Sequence, residues 1–258
     1  MDKLPDLTTR KLGRTLVHLE QVDSTNKYLK ENGGKLPNLT AVIADAQTHG
    51  KGRGDRTWSS DSGDGLYLSL LLKDTSLQYL SRLPLLVAIG VRRGLEALCG
   101  LPFQIKWSND LLHEGGKICG ILCESRVLDG QNLVTIGIGV NLGQSREALA
   151  RHGLVYASSL FLATNKLFSP KETASALCNA LEDVILANAQ SELPHLWEEY
   201  RRHCVTLGRQ VRVITKDGER EGRAVDIAAD GSLICEIDGK KVPISAGEAT
   251  IRGEKGYL

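Results

Sequence analysis

The chain has 258 residues, with 32 Lys and Arg against 31 Asp and Glu and a formal net charge of +1. That length allows one large domain and one small one, and the charge balance excludes a globally basic nucleic-acid or acidic-membrane binder. Six scattered cysteines without paired spacing or a histidine cluster exclude a zinc module and read as reduced core residues. The N-terminal residues lack the apolar run of a signal peptide, and no stretch is long and apolar enough to span a bilayer, so a cytoplasmic location is expected.

Asp23-Ser24-Thr25-Asn26 supplies capping residues ahead of a short helix that Gly33-Gly34 ends. Two apolar runs, Thr40 to Ala44 and Leu66 to Leu72, read as strands, and the polar glycine-rich piece between them (about residues 47 to 65) as a long loop. Apolar residues at helical spacing, Pro84 near the start and Gly100 after the end predict a helix over 82–99. Its Gly90 and Gly94 mark close packing. Gln104 to Trp107, the stretch through Glu124 and Leu133 to Leu142 read as strands joined by turns, with antiparallel pairing the economical choice. The spacing of Cys119 and Cys123 puts both on one face. Ser169-Pro170-Lys171-Glu172 opens a helix to about Ala189, and a second helix follows over 192–203. Beyond Gly208, short alternating runs separated by Asp-Gly turns predict a separate β-barrel of about 50 residues.

Four polar elements carry the chemistry. The segment Gln47 to Trp58 gathers Lys51, Arg53 and Arg56 among three glycines; it suits an anion but also a solvated loop, and it matches neither a P-loop nor a dinucleotide fingerprint. Lys106-Trp107-Ser108-Asn109-Asp110 ends a strand and serves either as a polar turn or as ligands for phosphate, ribose or Mg²⁺. Lys117 heads an apolar strand, where its ammonium either snorkels to water or faces a ligand. Gly137 and Gly139, at alternate positions of one strand, leave bare patches for a ligand or for tight sheet packing.

In this order the elements resemble the catalytic core of the biotin protein ligases. Asp23-Ser24-Thr25-Asn26 looks like the family's D-S-T-N, Gly50 to Trp58 like G-R-G-R-x-G-R-x-W, Lys106 to Asp110 like K-W-P-N-D, Lys117 to Glu124 like K-x-x-G-I-L-x-E, and Gly137 to Asn141 like G-x-G-x-N. Three positions depart: Lys51 stands for Arg, Asp55 for Gly and Ser108 for Pro. The resemblance implies an α+β fold, with a mixed or antiparallel sheet and helices like a class II aminoacyl-tRNA synthetase (residues 1–204), followed by an SH3-like barrel (205–258). It implies activation of biotin by ATP with Mg²⁺, then transfer to a biotin carboxyl carrier protein such as that of acetyl-CoA carboxylase.

Arg53, Lys117 and Lys106 would then be catalytic. Ser24, Thr25, Asn26, Gln47, Lys51, Gly52, Arg53 and Lys117 would hold biotin. Lys106, Asn109, Asp110, Trp58, Gly137, Gly139 and Asn141 would hold ATP, with any Mg²⁺ near Asp110. A lipoate or octanoate ligase or transferase shares the architecture and is the alternative. About 22 residues precede Asp23, too few for the DNA-binding domain some members carry, so no DNA or membrane partner is expected. Family members dimerise through sheet edges, and a homodimer is expected here.

Overall fold

The computed structural model describes residues 3–54, 56–60, 63–73, 76, 80–187, 193–216, 218–246, 249–253 and 257. The chain runs β1 (Leu16–Val22), α1 (Thr25–Asn32), β2 (Ala41–Gln47), β3 (Gly65–Lys73), α2 (Leu83–Cys99), β4 (Gln104–Lys106), β5 (Asp110–His113), β6 (Gly116–Leu128) and β7 (Gln131–Asn141). It continues through α3 (Arg146–Arg151), α4 (Leu160–Thr164), α5 (Pro170–Ala187), α6 (Pro194–His203), β8 (Gln210–Thr215), β9 (Gly218–Ile227), β10 (Leu233–Ile237), β11 (Lys240–Ile244) and β12 (Thr250–Gly253).

The first seven strands form one sheet in the order β1-β2-β3-β7-β6-β5-β4. Its pairings are antiparallel, as expected, except for the unpredicted β1, which lies parallel to β2. A parallel neighbour needs a crossover, and α1 supplies it, which places the α1 N-terminus at the end of β2. The eight buried residues of β3 mark it as a central strand.

Helices α2 and α5 are in close contact because Gly90 and Gly94 give up their side chains. A Cβ at Gly90 would stand 2.5 Å from Leu181 Cδ2, and one at Gly94 2.9 Å from the Ala176 carbonyl oxygen. α5 begins at Pro170, where its capping box puts it, and is described to Ala187; residues 188–192, which include the expected end, lie outside the described residues. Cys119 is buried and Cys123 lies half-buried against the same core, on one face as expected; all six cysteines are free thiols.

The last five strands form an antiparallel sheet in the order β11-β10-β9-β8-β12. The barrel expected there does not close: among the described residues no pairing joins β11 to β12. β11 carries Lys240, Lys241 and Pro243, charges and a missing N–H that suit a solvated edge.

Candidate active site

The site starts from the end of α1. Ser24 is the N-cap, in extended backbone, yet its side chain makes no capping hydrogen bond and lines a pocket instead. Gln47, at the end of β2, accepts from the Thr25 N–H at 2.9 Å through Oε1, while its Nε2 donates to Ser60 Oγ at 2.9 Å. From β3, the buried Ser69 hydroxyl bridges Thr25 Oγ1 and Asn26 Oδ1, both at 2.7 Å. Asn26 Nδ2 donates to Glu124 Oε2 at 2.8 Å. Hydrogen bonds on both sides fix these neutral groups as one rigid wall.

Part of the expected long loop forms a short hairpin. Lys51 bridges Thr57 across it, the Trp58 N–H donates to the Gly50 carbonyl at 2.9 Å, and the Gly52 N–H to the Arg56 carbonyl at 2.8 Å. Asp55 lies outside the described residues. Arg53 Nη1 donates to Ser108 Oγ at 3.0 Å and to the Ala246 carbonyl at 3.1 Å. Burial lowers the Arg53 pKa and Asp110 works against that shift.

The hairpin ends in Trp58, and here the strand glycines find their use. Gly139 and Gly120 are cross-strand partners, and a Cβ on either would stand 2.4 Å or 2.7 Å from the Trp58 ring, respectively. They form a flat bed for the indole. Gly137 makes room for Asn26, whose Oδ1 would lie 2.6 Å from an added Cβ. The Trp58 indole nitrogen is buried against Gly139 without a hydrogen-bond partner among the described residues.

Lys117 turns into the pocket: its Nζ stands 2.7 Å from Asp110 Oδ1 and 5.2 Å from the centre of the Trp58 ring. Asn141 Nδ2 donates to the Ser158 carbonyl at 2.8 Å and to that of Lys117 at 3.3 Å, tying the 156–158 loop to the head of β6. Asn109 spends its amide on the Ile121 carbonyl. Burial acts to raise the Asp110 pKa, but Lys117, Lys106 and a hydrogen bond from Tyr257 outweigh it and hold the carboxyl below its ordinary value.

Of the predicted site residues, all but Lys106 line one pocket of about 470 Å³. Lys106 departs from expectation. It is buried behind the ring of Tyr257, 4.3 Å from the ring centre, and its Nζ donates to the Ile251 carbonyl at 2.9 Å. Burial lowers its pKa to about 8, opposed by Asp110. Sequence reasoning missed Tyr156, Arg252 and Tyr257, which also line the pocket. The Tyr156 and Tyr257 rings are stacked at 5.4 Å, and no local motif surrounds them.

The pocket therefore sets neutral hydrogen-bonding groups at one end and Arg53, Arg56, Lys117 and Arg252 toward the other. That polarity defines an enzyme that holds a small molecule by neutral contacts and handles anionic groups beside it.

Comparison with known proteins agrees. Residues 18–141 match the biotin/lipoate A/B protein ligase family, and residues 206–252 match the biotin protein ligase C-terminal domain. The bifunctional ligase/repressor BirA of Bacillus spizizenii is 32% identical over 236 residues, covering 89% of this chain and 72% of that protein. The biotin–[acetyl-CoA-carboxylase] ligase of Mycobacterium tuberculosis is 31% identical over 243 residues, covering 91% and 88%. The structure of the biotin protein ligase from Aquifex aeolicus in complex with biotin and ATP aligns with a TM-score of 0.79 at 27% identity, over 93% of this chain and all of that one. The chain belongs to the biotin protein ligases, within the biotin/lipoate A/B protein ligase family. No helix among the described residues is long and apolar enough to cross a membrane.

Proposed function

We propose that the enzyme joins the carboxylate of biotin to the α-phosphate of ATP, releasing pyrophosphate, and then passes biotin from the adenylate to a lysine of a carrier protein. The acceptor we infer is the biotin carboxyl carrier protein of an acetyl-CoA carboxylase, the substrate class named for the mycobacterial relative. The polarity of this pocket carries this reading. A carboxylate attacking a phosphate brings two anions together, and the reaction needs cations at the point of contact.

Lys117, beside Asp110, would do that work, with the Arg53 hairpin closing from the other side. Ser24, Thr25, Asn26 and Gln47 would hold the ureido ring of biotin, and Lys51 and Gly52 its carboxylate end. Trp58, Asn109, Asp110, Gly137, Gly139 and Asn141 would bound the adenylate. Lys106 would join them only after leaving the Ile251 carbonyl.

Asp110 is the one carboxylate among the described pocket residues, and no group of three metal-ligating side chains occurs among them. Such a site fits a Mg²⁺ that takes most of its ligands from phosphate and water. Asp110 would hold it, and the ion would neutralise charge on the triphosphate.

We further read the chain as two domains, 1–204 and 205–258, acting in the cytoplasm as a homodimer. The central test is exchange of labelled pyrophosphate into ATP. Exchange dependent on biotin is expected; exchange with lipoate or octanoate instead, or with neither, overturns the reading.

A further inference from the structure

Ser108 stands where the resembled motif has proline, and the structure gives its hydroxyl a specific use. The residue is only 1% exposed. Its carbonyl accepts from the Tyr200 hydroxyl at 3.2 Å, and its Oγ donates to Asn109 Oδ1 at 3.3 Å and accepts from Arg53 Nη1 at 3.0 Å. The preceding Trp107 is held at both ends, its N–H by Thr206 Oγ1 at 2.9 Å and its indole N–H by the Gly231 carbonyl at 3.1 Å. Ser108 is thus a fixed point, whereas the hairpin that carries Arg53 is solvent-exposed at Lys51, Gly54, Arg56 and Thr57.

The same Arg53 nitrogen also donates to the Ala246 carbonyl of the small domain. One corner of the guanidinium is therefore shared between the catalytic sheet and the small domain. Among the described residues its other nitrogens make no hydrogen bond, and the side chain borders both the pocket and the cleft beneath the hairpin. A planar fork anchored at one corner presents its remaining donors in a set direction. A proline side chain has no acceptor to do the anchoring.

We propose that Ser108 is a positioning residue that docks the Arg53 hairpin before substrate arrives and aims the free edge of its guanidinium into the pocket. Its bearing on catalysis rests on the ligase reading; the docking itself does not. In this enzyme the lid is pre-set by a side-chain acceptor in the catalytic sheet, so that binding need not first order it.

The test is trypsin cleavage of the full-length, substrate-free enzyme after Lys51 and Arg56, followed by mass spectrometry. Loss of a hydrogen bond to a charged group is expected to make Ser108→Ala cleave about tenfold faster than the parent. Ser108→Cys, of nearly equal volume and far weaker as an acceptor, gives the same result if the alanine variant does not fold. Adding Ser108→Ala to Arg53→Met is expected to change nothing further, which separates action through Arg53 from a general loosening. Where biotinyl-adenylate forms, Ser108→Ala is also expected to release it faster. Equal cleavage in parent and variants, or a full additional effect in the Arg53→Met background, overturns the proposal. Cleavage is read without ligand, so a failed exchange assay leaves this result standing and the reverse also holds.

Discussion

Lys106 is a buried ammonium whose close contacts are a carbonyl and an aromatic ring, so it holds its proton weakly. Its pKa falls to about 8 in the folded chain, against 10.5 for the ordinary side chain. Between those values the unfolded chain binds more protons, so stability attributable to Lys106 rises with pH across that window and is flat below it. Lys106→Met has no proton to lose. The parent is therefore expected to gain on the variant by up to about 3 kcal/mol between pH 8 and 10.5, read from urea unfolding of both proteins at each pH. A constant difference across the window contradicts the burial argument. A second residue-scale test concerns Arg53, the lid arginine of the ligase reading. Arg53→Gly is expected to release adenylate and to label bystander proteins with biotin at least about tenfold more, measured by streptavidin blotting.

At the scale of elements, the hairpin over Lys51 and Thr57 depends on a glycine before it. A Cβ at Gly50 would meet the Trp58 carbonyl oxygen at 2.4 Å, and that backbone atom cannot swing aside. Gly50→Ala is expected to open the hairpin, lift Trp58 from its bed of Gly120 and Gly139, and cut biotin-dependent exchange by about 100-fold, a loss of roughly 3 kcal/mol. Circular dichroism should stay close to that of the parent; a fully active variant would show that the hairpin is not needed.

These elements were legible in the sequence to different degrees. α2, α5 and the β6–β7 hairpin announced themselves by long apolar periods and flanking turn residues, and the chemistry-bearing motifs were found because each is local. β1 was missed: as an edge strand it is only half-buried, and it pairs in parallel with a strand reached through α1. α3 and α4, of six and five residues, are too short for a period to show. The sequence also put Lys106 in the pocket, because nothing local foretells that Ile251 and Tyr257 come back to cover it. That return is a long-range event, and so is the stacking of Tyr156 on Tyr257.

For the whole molecule, the small domain is bound in along the Lys106–Ser108 segment and α6. Trp107 donates to Gly231, Lys106 to Ile251, and Arg201 to both Asp226 Oδ1 at 2.7 Å and the Ile227 carbonyl at 2.6 Å. Trp107→Phe keeps the buried aromatic bulk but strips the Gly231 carbonyl of its donor. The expected cost is about 1–3 kcal/mol, seen as a lower urea midpoint. Arg201 lies nearer to water, and Arg201→Ala is expected to cost less, about 1 kcal/mol. If the Trp107 variant unfolds at the parent's midpoint, that bond does not help to hold the two sheets together.

Arg53, Lys106 and Trp107 share one further property: each ends on a main-chain carbonyl, at Ala246, Ile251 and Gly231. Every residue type offers that acceptor, so at these three points the catalytic sheet asks of its neighbour only a backbone path, while Thr206, Asp226 and Tyr257 meet it through their side chains. A changed side chain at Ala246 or Ile251 therefore removes neither acceptor, whereas a changed Thr206, Asp226 or Tyr257 removes a bond. A relative's domain of the same trace, grafted after residue 204, should inherit these three bonds unchanged.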